Sequence, residues 1–122
     1  MARPDIDDAL IAKGWLTPDT YARHYASLPA SSAIYALVVT PDLFCLEPGI
    51  IGYVGKSVNV RQRLAAHEMI TLIRTSQPAA HIRRWFMPVP ELDLSAAEVA
   101  AIQKFNPPYN IQHRNRGIHV AS

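Results

Sequence analysis

The 122-residue chain is long enough for one domain with a single modest core. Its 49% hydrophobic and 18% charged residues are ordinary for a globular protein, its net charge is only +2, and no apolar run approaches the roughly 18 residues that a membrane-spanning helix needs. A single cysteine, Cys45, excludes an internal disulfide and a cysteine zinc site, which predicts a reducing compartment, and we expect the cytoplasm.

Residues 1–30 predict a helical N-terminal extension. The first eight residues are acidic and contain no apolar segment, so we expect no secretory signal. A short helix is expected from about Ile6 to Ala12, closed by Gly14. Thr17 and Pro18 have the pattern of a helix N-cap followed by the first helical residue. This second helix would carry three side chains on one face: Tyr21, Tyr25 and Leu28.

The middle of the chain predicts two strands and a helix. Residues 33–39 form an apolar, β-branched run, and residues 50–54 form a second one, which we expect to pair antiparallel across the loop at residues 40–49. Asn59 has the position of an N-cap, with Gln62 completing a capping box. The helix is predicted from Val60 to about Thr75, where Gln77 and a proline end it.

The last part of the chain predicts a third strand and a further helix. The strand spans residues 82–89, and its terminal prolines favour an edge position. Ser95 to Glu98 would open the helix, with Leu94 and Val99 at the hydrophobic-staple positions, and the helix would end before Asn106. The order β-β-α-β-α predicts an α+β fold, a small three-stranded antiparallel sheet flanked by helices.

Two strands and two helices carry an ordered set of polar residues. The first strand contains Ala33-Ile34-Tyr35, and the second contains Tyr53-Val54-Gly55 followed by Lys56, which we expect to form a glycine turn. Downstream lie four further candidates: Arg63, His67, Glu98 and Asn110. A lysine, an arginine, a histidine and one carboxylate are groups suited to metal-assisted attack on a phosphodiester.

This ordered set resembles the GIY-YIG nuclease family, as a small stand-alone member. The resemblance covers about residues 32–112, and includes the helix start at residues 59–64 and the terminal Pro-x-Asn at residues 108–110. It implies a nuclease domain at residues 31–112, between the extension at 1–30 and a basic tail at 113–122. Alanine replaces glycine at Ala33, and the spacing from Tyr35 to Tyr53 is longer than usual, which we assign to the loop around residues 41–48.

The resemblance implies a metal-dependent DNA endonuclease, a hydrolase, and a role for each matched residue. Glu98 would bind one Mg²⁺, with Mn²⁺ as a substitute, because magnesium keeps most of its waters and needs few carboxylates. Arg63 would stabilise phosphate charge, and a spacing of four places it on one helix face with His67. The remaining candidates for proton transfer are Tyr35 as base or water-orienting group, with His67 as the alternative base, and Lys56 or His67 to lower the pKa of Tyr35. Tyr53 would orient the site, and Asn110 would fix the backbone or the phosphate.

Each of these residues has a structural alternative. Glu98 could complete a capping box begun by Ser95, and the two motif tyrosines could be ordinary strand aromatics. Arg63 and His67 could face solvent, and Asn110 could be a turn residue after two prolines. For most of the residues taken singly, the structural role is favoured. The order and spacing of the whole set favour a catalytic site.

Basic residues are concentrated in the second half of the chain. Residues 1–60 hold four basic and six acidic side chains, whereas residues 61–122 hold eight basic and four acidic ones. This distribution permits nucleic-acid binding, and a solvated basic face is the alternative. The candidate phosphate contacts are Lys56, Arg63, Arg83, Arg84, Arg114 and Arg116.

Three functions fit the sequence. The first is the endonuclease, acting on DNA of undetermined strand state, with RNA also open. The second is a nucleic-acid-binding module that lacks turnover on the same fold. The third is a protein-interaction domain that recruits a partner through the N-terminal helices.

Overall fold

The computed structural model describes residues 6–18, 27–40, 49–65 and 67–110. In chain order the elements are α1 (Ile6–Ala12), β1 (Ala33–Thr40), β2 (Ile50–Ser57), α2 (Val60–Ala65), α3 (Glu68–Ser76), β3 (His81–Pro88), a 3₁₀ turn (Glu91–Asp93) and α4 (Leu94–Phe105). Within these ranges no helix is both long and apolar enough to cross a membrane. The predicted helix through Tyr21 and Tyr25, the loop around residues 41–48 and the basic tail lie outside the described residues.

The three strands form one antiparallel sheet in the order β2-β1-β3. This confirms the predicted α+β class, the antiparallel pairing of the first two strands and the edge position of the third. All eight residues of β1 are buried, because this strand is central and is covered on both faces. Its Tyr35 lies between Gly55 of β2 and Phe86 of β3.

Successive residues of β1 point to opposite faces, and each face carries its own core. One core contains Ile34 and Ala36 with residues of α1 and α4, and it includes Trp85 of β3. The other contains Tyr35 and Leu37 with residues of α2, α3 and the segment after α4. A continuous apolar run in β1 is therefore what a strand sandwiched between two helical layers requires.

The strand β2 extends three residues beyond its predicted end, so the expectation of a glycine turn at Gly55 and Lys56 is wrong. Both residues continue the ladder, with Gly55 opposite Tyr35 and Lys56 opposite Ile34. A Cβ atom on Gly55 would overlap the Tyr35 ring near its hydroxyl. Glycine is needed here to leave room for an aromatic ring and not to turn the chain.

The predicted helix from Val60 to Thr75 is two helices, α2 and α3, and His67 is the N-cap of the second. Asn59 caps the first as expected, since its Oδ1 accepts the backbone N–H of Gln62 at 3.1 Å. The Asn59 N–H donates to the Ser57 hydroxyl at 3.0 Å, so Ser57 provides the acceptor that a capping box assigns to Gln62. His67 caps α3, and it therefore lies off the α2 face that carries Arg63.

The start of α4 also differs from the prediction. The helix begins at Leu94 after the 3₁₀ turn, and its N-cap is Asp93, which makes no side-chain capping bond. Ser95 and Glu98 thus form no capping box, and Val99 is 51% exposed, which excludes it from a hydrophobic staple. The helix ends at Phe105, as predicted before Asn106, which adopts a left-handed conformation with φ 48°.

The described part of the N-terminal segment packs on the sheet. The helix α1 has the predicted bounds, and Gly14 follows it with φ 93°. Leu16 forms an antiparallel bridge with Phe86, through two backbone hydrogen bonds of 2.9 and 2.8 Å. The Thr17 hydroxyl, which sequence reasoning assigned to a helix cap, donates to the Arg84 carbonyl at 2.7 Å.

The close approach of Gly55 to Tyr35 generates the first prediction. We expect Gly55→Ala to lower the free energy of unfolding by about 1–3 kcal/mol, the usual cost of overpacking a core, as measured by urea denaturation. In a Tyr35→Leu background the ring is absent, so the same change should cost much less. An equal cost in both backgrounds would show that the ring is not the reason for glycine at this position.

Candidate active site

Three of the predicted site residues, Tyr35, Arg63 and His67, meet at the Tyr35 hydroxyl. His67 Nε2 lies 2.6 Å from the Tyr35 oxygen, and Arg63 Nε donates to the same oxygen at 3.3 Å. Tyr35 comes from β1, Arg63 from α2, and His67 from the break before α3. Arg63 and His67 are thus brought together by a shared tyrosine and not by one helix face.

His67 has a defined proton position. Its Nδ1 accepts the backbone N–H of Met69 at 3.0 Å, which is the capping bond of α3. Burial, followed by the positive charge of Arg63, lowers the pKa of His67 to about 4, so the imidazole is neutral at pH 7. A neutral imidazole whose Nδ1 accepts carries its proton on Nε2. His67 therefore donates its Nε2–H to the Tyr35 oxygen.

Tyr35 is held in its protonated form. The residue is 1% exposed, and burial, followed by the proximity of Tyr53, raises the pKa of its phenol. The hydrogen bond and the charge of Arg63 act in the opposite direction but are outweighed. The expectation that neighbours lower this pKa is therefore wrong for the protein as described, because desolvation of the phenolate is the larger effect.

Tyr53 completes an aromatic group around the site. The ring centroids of Tyr53 and His67 are 5.6 Å apart at an interplanar angle of 75°, and those of Tyr53 and Tyr35 are 6.3 Å apart. Burial and the negative charge of Glu98 raise the pKa of Tyr53. Edge contacts of this kind fix the plane of the imidazole, which supports the predicted orienting role of Tyr53.

Glu68 is a site residue that sequence reasoning missed. Its two carboxylate oxygens accept hydrogen bonds from Arg63 Nη1 at 3.1 Å and from Arg63 Nη2 at 2.7 Å. The hydrogen bonds between the two side chains are the largest cause of both pKa shifts: they raise the pKa of Arg63 and lower the pKa of Glu68 to about 2. The sequence signal is an acidic residue directly after His67, which becomes informative once a helix break is placed there.

Glu98 of α4 lies beside Lys56 of β2. Lys56 Nζ lies 3.8 Å from Glu98 Oε1 and donates to the Ser95 hydroxyl at 2.7 Å. The Glu98 side chain is 23% exposed, so a solvated ligand can reach it. Ser95, for which the sequence predicts only a role at the helix start, holds the lysine beside the carboxylate.

The donor set for the predicted metal is small. Among residues 6–18, 27–40, 49–65 and 67–110 no group of three or more His, Cys, Asp or Glu side chains could hold a metal ion. Glu98 alone fits Mg²⁺, which is bound through one or two carboxylates and keeps several waters. The ammonium of Lys56 lies 3.8 Å from this carboxylate and would repel a divalent cation bound there, so the metal and the lysine compete for Glu98.

The Asn110 side chain is hydrogen-bonded to the backbone of the sheet. Its Nδ2 donates to the Val54 carbonyl at 2.8 Å, and its Oδ1 accepts the Val54 N–H at 2.7 Å. The side chain is buried against β2, an outer strand of the sheet. Of its two predicted roles, fixing the backbone is the one these contacts perform, and its amide is not placed to act on a substrate.

The candidate phosphate-binding arginines separate into different environments. Arg83 is 8% exposed and donates to the Thr40 hydroxyl at 2.9 Å, so its burial removes it from the surface that a phosphate backbone could reach. Arg84, on the opposite face of β3, lines a cavity of about 360 Å³ together with His67 and Arg74. Arg114 and Arg116 lie outside the described residues.

No family model, curated protein or solved structure matches the chain. The GIY-YIG resemblance thus rests on the sequence motifs alone. The contacts around Tyr35 are observed in this structure and do not depend on any comparison.

The buried neutral imidazole predicts a pH dependence of stability. Because folding lowers the pKa of His67, its contribution is complete above the unfolded value of about 6.5 and is lost as the pH falls towards 4. The loss should be on the order of 2 kcal/mol in the free energy of unfolding, measured by urea titration at each pH.

His67→Asn provides the matched control for this pH dependence. Asparagine is a preferred N-cap and does not titrate, so the variant keeps the cap of α3 while the difference between pH 7 and pH 4 shrinks. An equally steep fall in wild type and variant would assign the pH dependence to other groups.

Proposed function

We propose that this protein is a metal-dependent endonuclease that hydrolyses phosphodiester bonds in DNA by a GIY-YIG-type mechanism. The observation that carries the proposal is the convergence of Arg63 and His67 on the Tyr35 hydroxyl. These residues belong to separate sequence motifs, and a purely structural role for each gives no reason for them to meet at one phenol oxygen. The negative charge of Glu98 raises the pKa of both Tyr35 and Tyr53, and on this ground we include Glu98 in the same site.

Proton transfer in the proposed reaction is assigned to Tyr35. Both nitrogens of His67 are engaged, with Nδ1 accepting from Met69 and Nε2–H donating to Tyr35, so His67 has no lone pair left for a water proton. The Tyr35 oxygen accepts hydrogen bonds from His67 Nε2 and Arg63 Nε, and these would stabilise a phenolate. Since burial raises its pKa, Tyr35 needs added positive charge nearby to release its own proton to solvent, and only the resulting phenolate can then accept a proton from the attacking water.

The charged residues supply the remaining chemistry. Arg63 would bind a non-bridging phosphate oxygen and stabilise the charge that develops there. Glu98 would hold the divalent cation, which supplies Lewis-acid stabilisation and lowers the pKa of a bound water. Lys56 would then move from Glu98 to the phosphate while Ser95 remains its neighbour. A reducing cytoplasm is the expected location for this activity.

A binding module without turnover is the second candidate. Two ion pairs favour it, because the basic side chains that would act on a phosphate are already neutralised by carboxylates: Arg63 pairs with Glu68, and Lys56 pairs with Glu98. Protein recruitment through the N-terminal segment is a further alternative, which a pull-down with and without residues 1–30 would test.

The test of the proposed activity is cleavage of labelled single-stranded, duplex and branched DNA and of RNA, with Mg²⁺ and with EDTA. We expect metal-dependent cleavage by wild type and none by Glu98→Gln, because glutamine keeps the shape but loses the charged oxygen ligand. Asp93→Asn removes an exposed carboxylate that makes no side-chain capping bond, so it is the matched control and should cleave normally. Binding without cleavage in every condition would favour the second candidate.

Arg63 and Arg61 lie on the same helix and provide a matched pair. We expect Arg63→Ala to reduce turnover by on the order of 10²–10³-fold, as for loss of one strong charge-stabilising donor. Arg61 is exposed and donates to the Leu28 carbonyl at 2.9 Å, so Arg61→Ala should have a much smaller effect. Single-turnover cleavage rates measure both, and similar small effects at the two positions would indicate a general basic patch.

A further inference from the structure

The carboxylate of Glu68 occupies the two outer nitrogens of Arg63. Its oxygens lie 3.1 and 2.7 Å from Nη1 and Nη2, while the third nitrogen, Nε, donates to the Tyr35 hydroxyl. A carboxylate and a phosphodiester each offer two oxygens to the same guanidinium fork. Glu68 therefore takes the position that a substrate phosphate would require.

We propose that Glu68 is an internal competitor for the phosphate-binding position of Arg63, so that it sets the affinity of the site for nucleic acid. This inference rests on the proposed function. A phosphodiester would replace the Glu68 carboxylate on Nη1 and Nη2 of Arg63 without moving Arg63 away from Tyr35. The guanidinium is thus held in its binding geometry before the substrate arrives.

Exposure shows that the exchange is feasible. The Glu68 side chain is 71% exposed and the Arg63 side chain 31% exposed, so the carboxylate can swing into water when it leaves. Exposed ion pairs are weak enough to open, because solvent screens them. With a pKa of about 2, Glu68 carries its full negative charge at pH 7 and competes as an anion.

A structural role for the same ion pair makes the opposite prediction. Glu68 begins α3 and Arg63 lies near the end of α2, so the pair also ties the two helices across their break. If the role of the ion pair were to hold the two helices together, Glu68→Gln would make the position of Arg63 less defined and weaken binding of nucleic acid. If Glu68 is a competitor, the same change releases the fork and strengthens binding.

The experiment measures the affinity of the full-length protein for a short fluorescein-labelled DNA duplex by anisotropy, in EDTA so that no cleavage occurs. We expect Glu68→Gln to bind roughly two- to fivefold more tightly than wild type, the range set by an exposed ion pair. Asp93→Asn removes the same charge from an exposed position where the side chain makes no capping bond, and it should change affinity less. In an Arg63→Gln background, Glu68→Gln should give no gain.

Each outcome has a distinct meaning. Weaker or unchanged binding by Glu68→Gln, an equal gain in Asp93→Asn, or a gain that persists without Arg63 would overturn the competitor role. If wild type nevertheless cleaves DNA in the preceding assay, only the competitor role fails. If neither wild type nor any variant binds or cleaves, the proposed function fails and the inference fails with it. A urea denaturation curve of Glu68→Gln that matches wild type confirms that the comparison is between folded proteins.

Discussion

The contact between Gly55 and Tyr35 is the constraint on which the rest of the site depends. Tyr35 lies on the central strand, so its backbone is fixed by hydrogen bonds to both neighbours. Its ring can lie across β2 only because the facing residue has no Cβ atom. The position of the hydroxyl follows from this packing, and the hydroxyl in turn receives Arg63 and His67. A site built from strand geometry in this way is more precise than one carried by a loop.

The break between α2 and α3 has a chemical role as well as a geometric one. A continuous helix would engage the backbone N–H of Met69 within the helix, and His67 would be left as a surface side chain. With the break, the same N–H donates to His67 Nδ1 and places the imidazole proton on the side of Tyr35. A helix cap thereby determines which nitrogen faces the site, an effect that couples secondary structure directly to protonation.

Most of the fold was predictable because it depends on local pattern. Apolar runs and proline positions predicted all three strands and the C-terminal ends of α3 and α4. The motif order grouped Tyr35, Arg63 and His67, whose side chains do meet, although not through the shared helix face that the spacing predicts. The errors arose where distant groups compete for local bonds. Ser57 takes the N–H of Asn59 that a capping box would use, and Tyr35 sets the requirement for Gly55 from another strand. Glu68 was missed because its partnership with Arg63 exists only across the helix break.

Asn110 and Leu16 have a consequence for how the protein behaves in concentrated solution. A sheet of three strands presents two outer edges, and an exposed edge is a template for pairing with another chain. Asn110 uses its side-chain amide to mimic a neighbouring strand along β2, where it satisfies both backbone groups of Val54. Leu16 does the same with its own backbone beside Phe86 of β3. Segments far apart in the chain thus shield the middle of each edge, which disfavours edge-to-edge association between molecules.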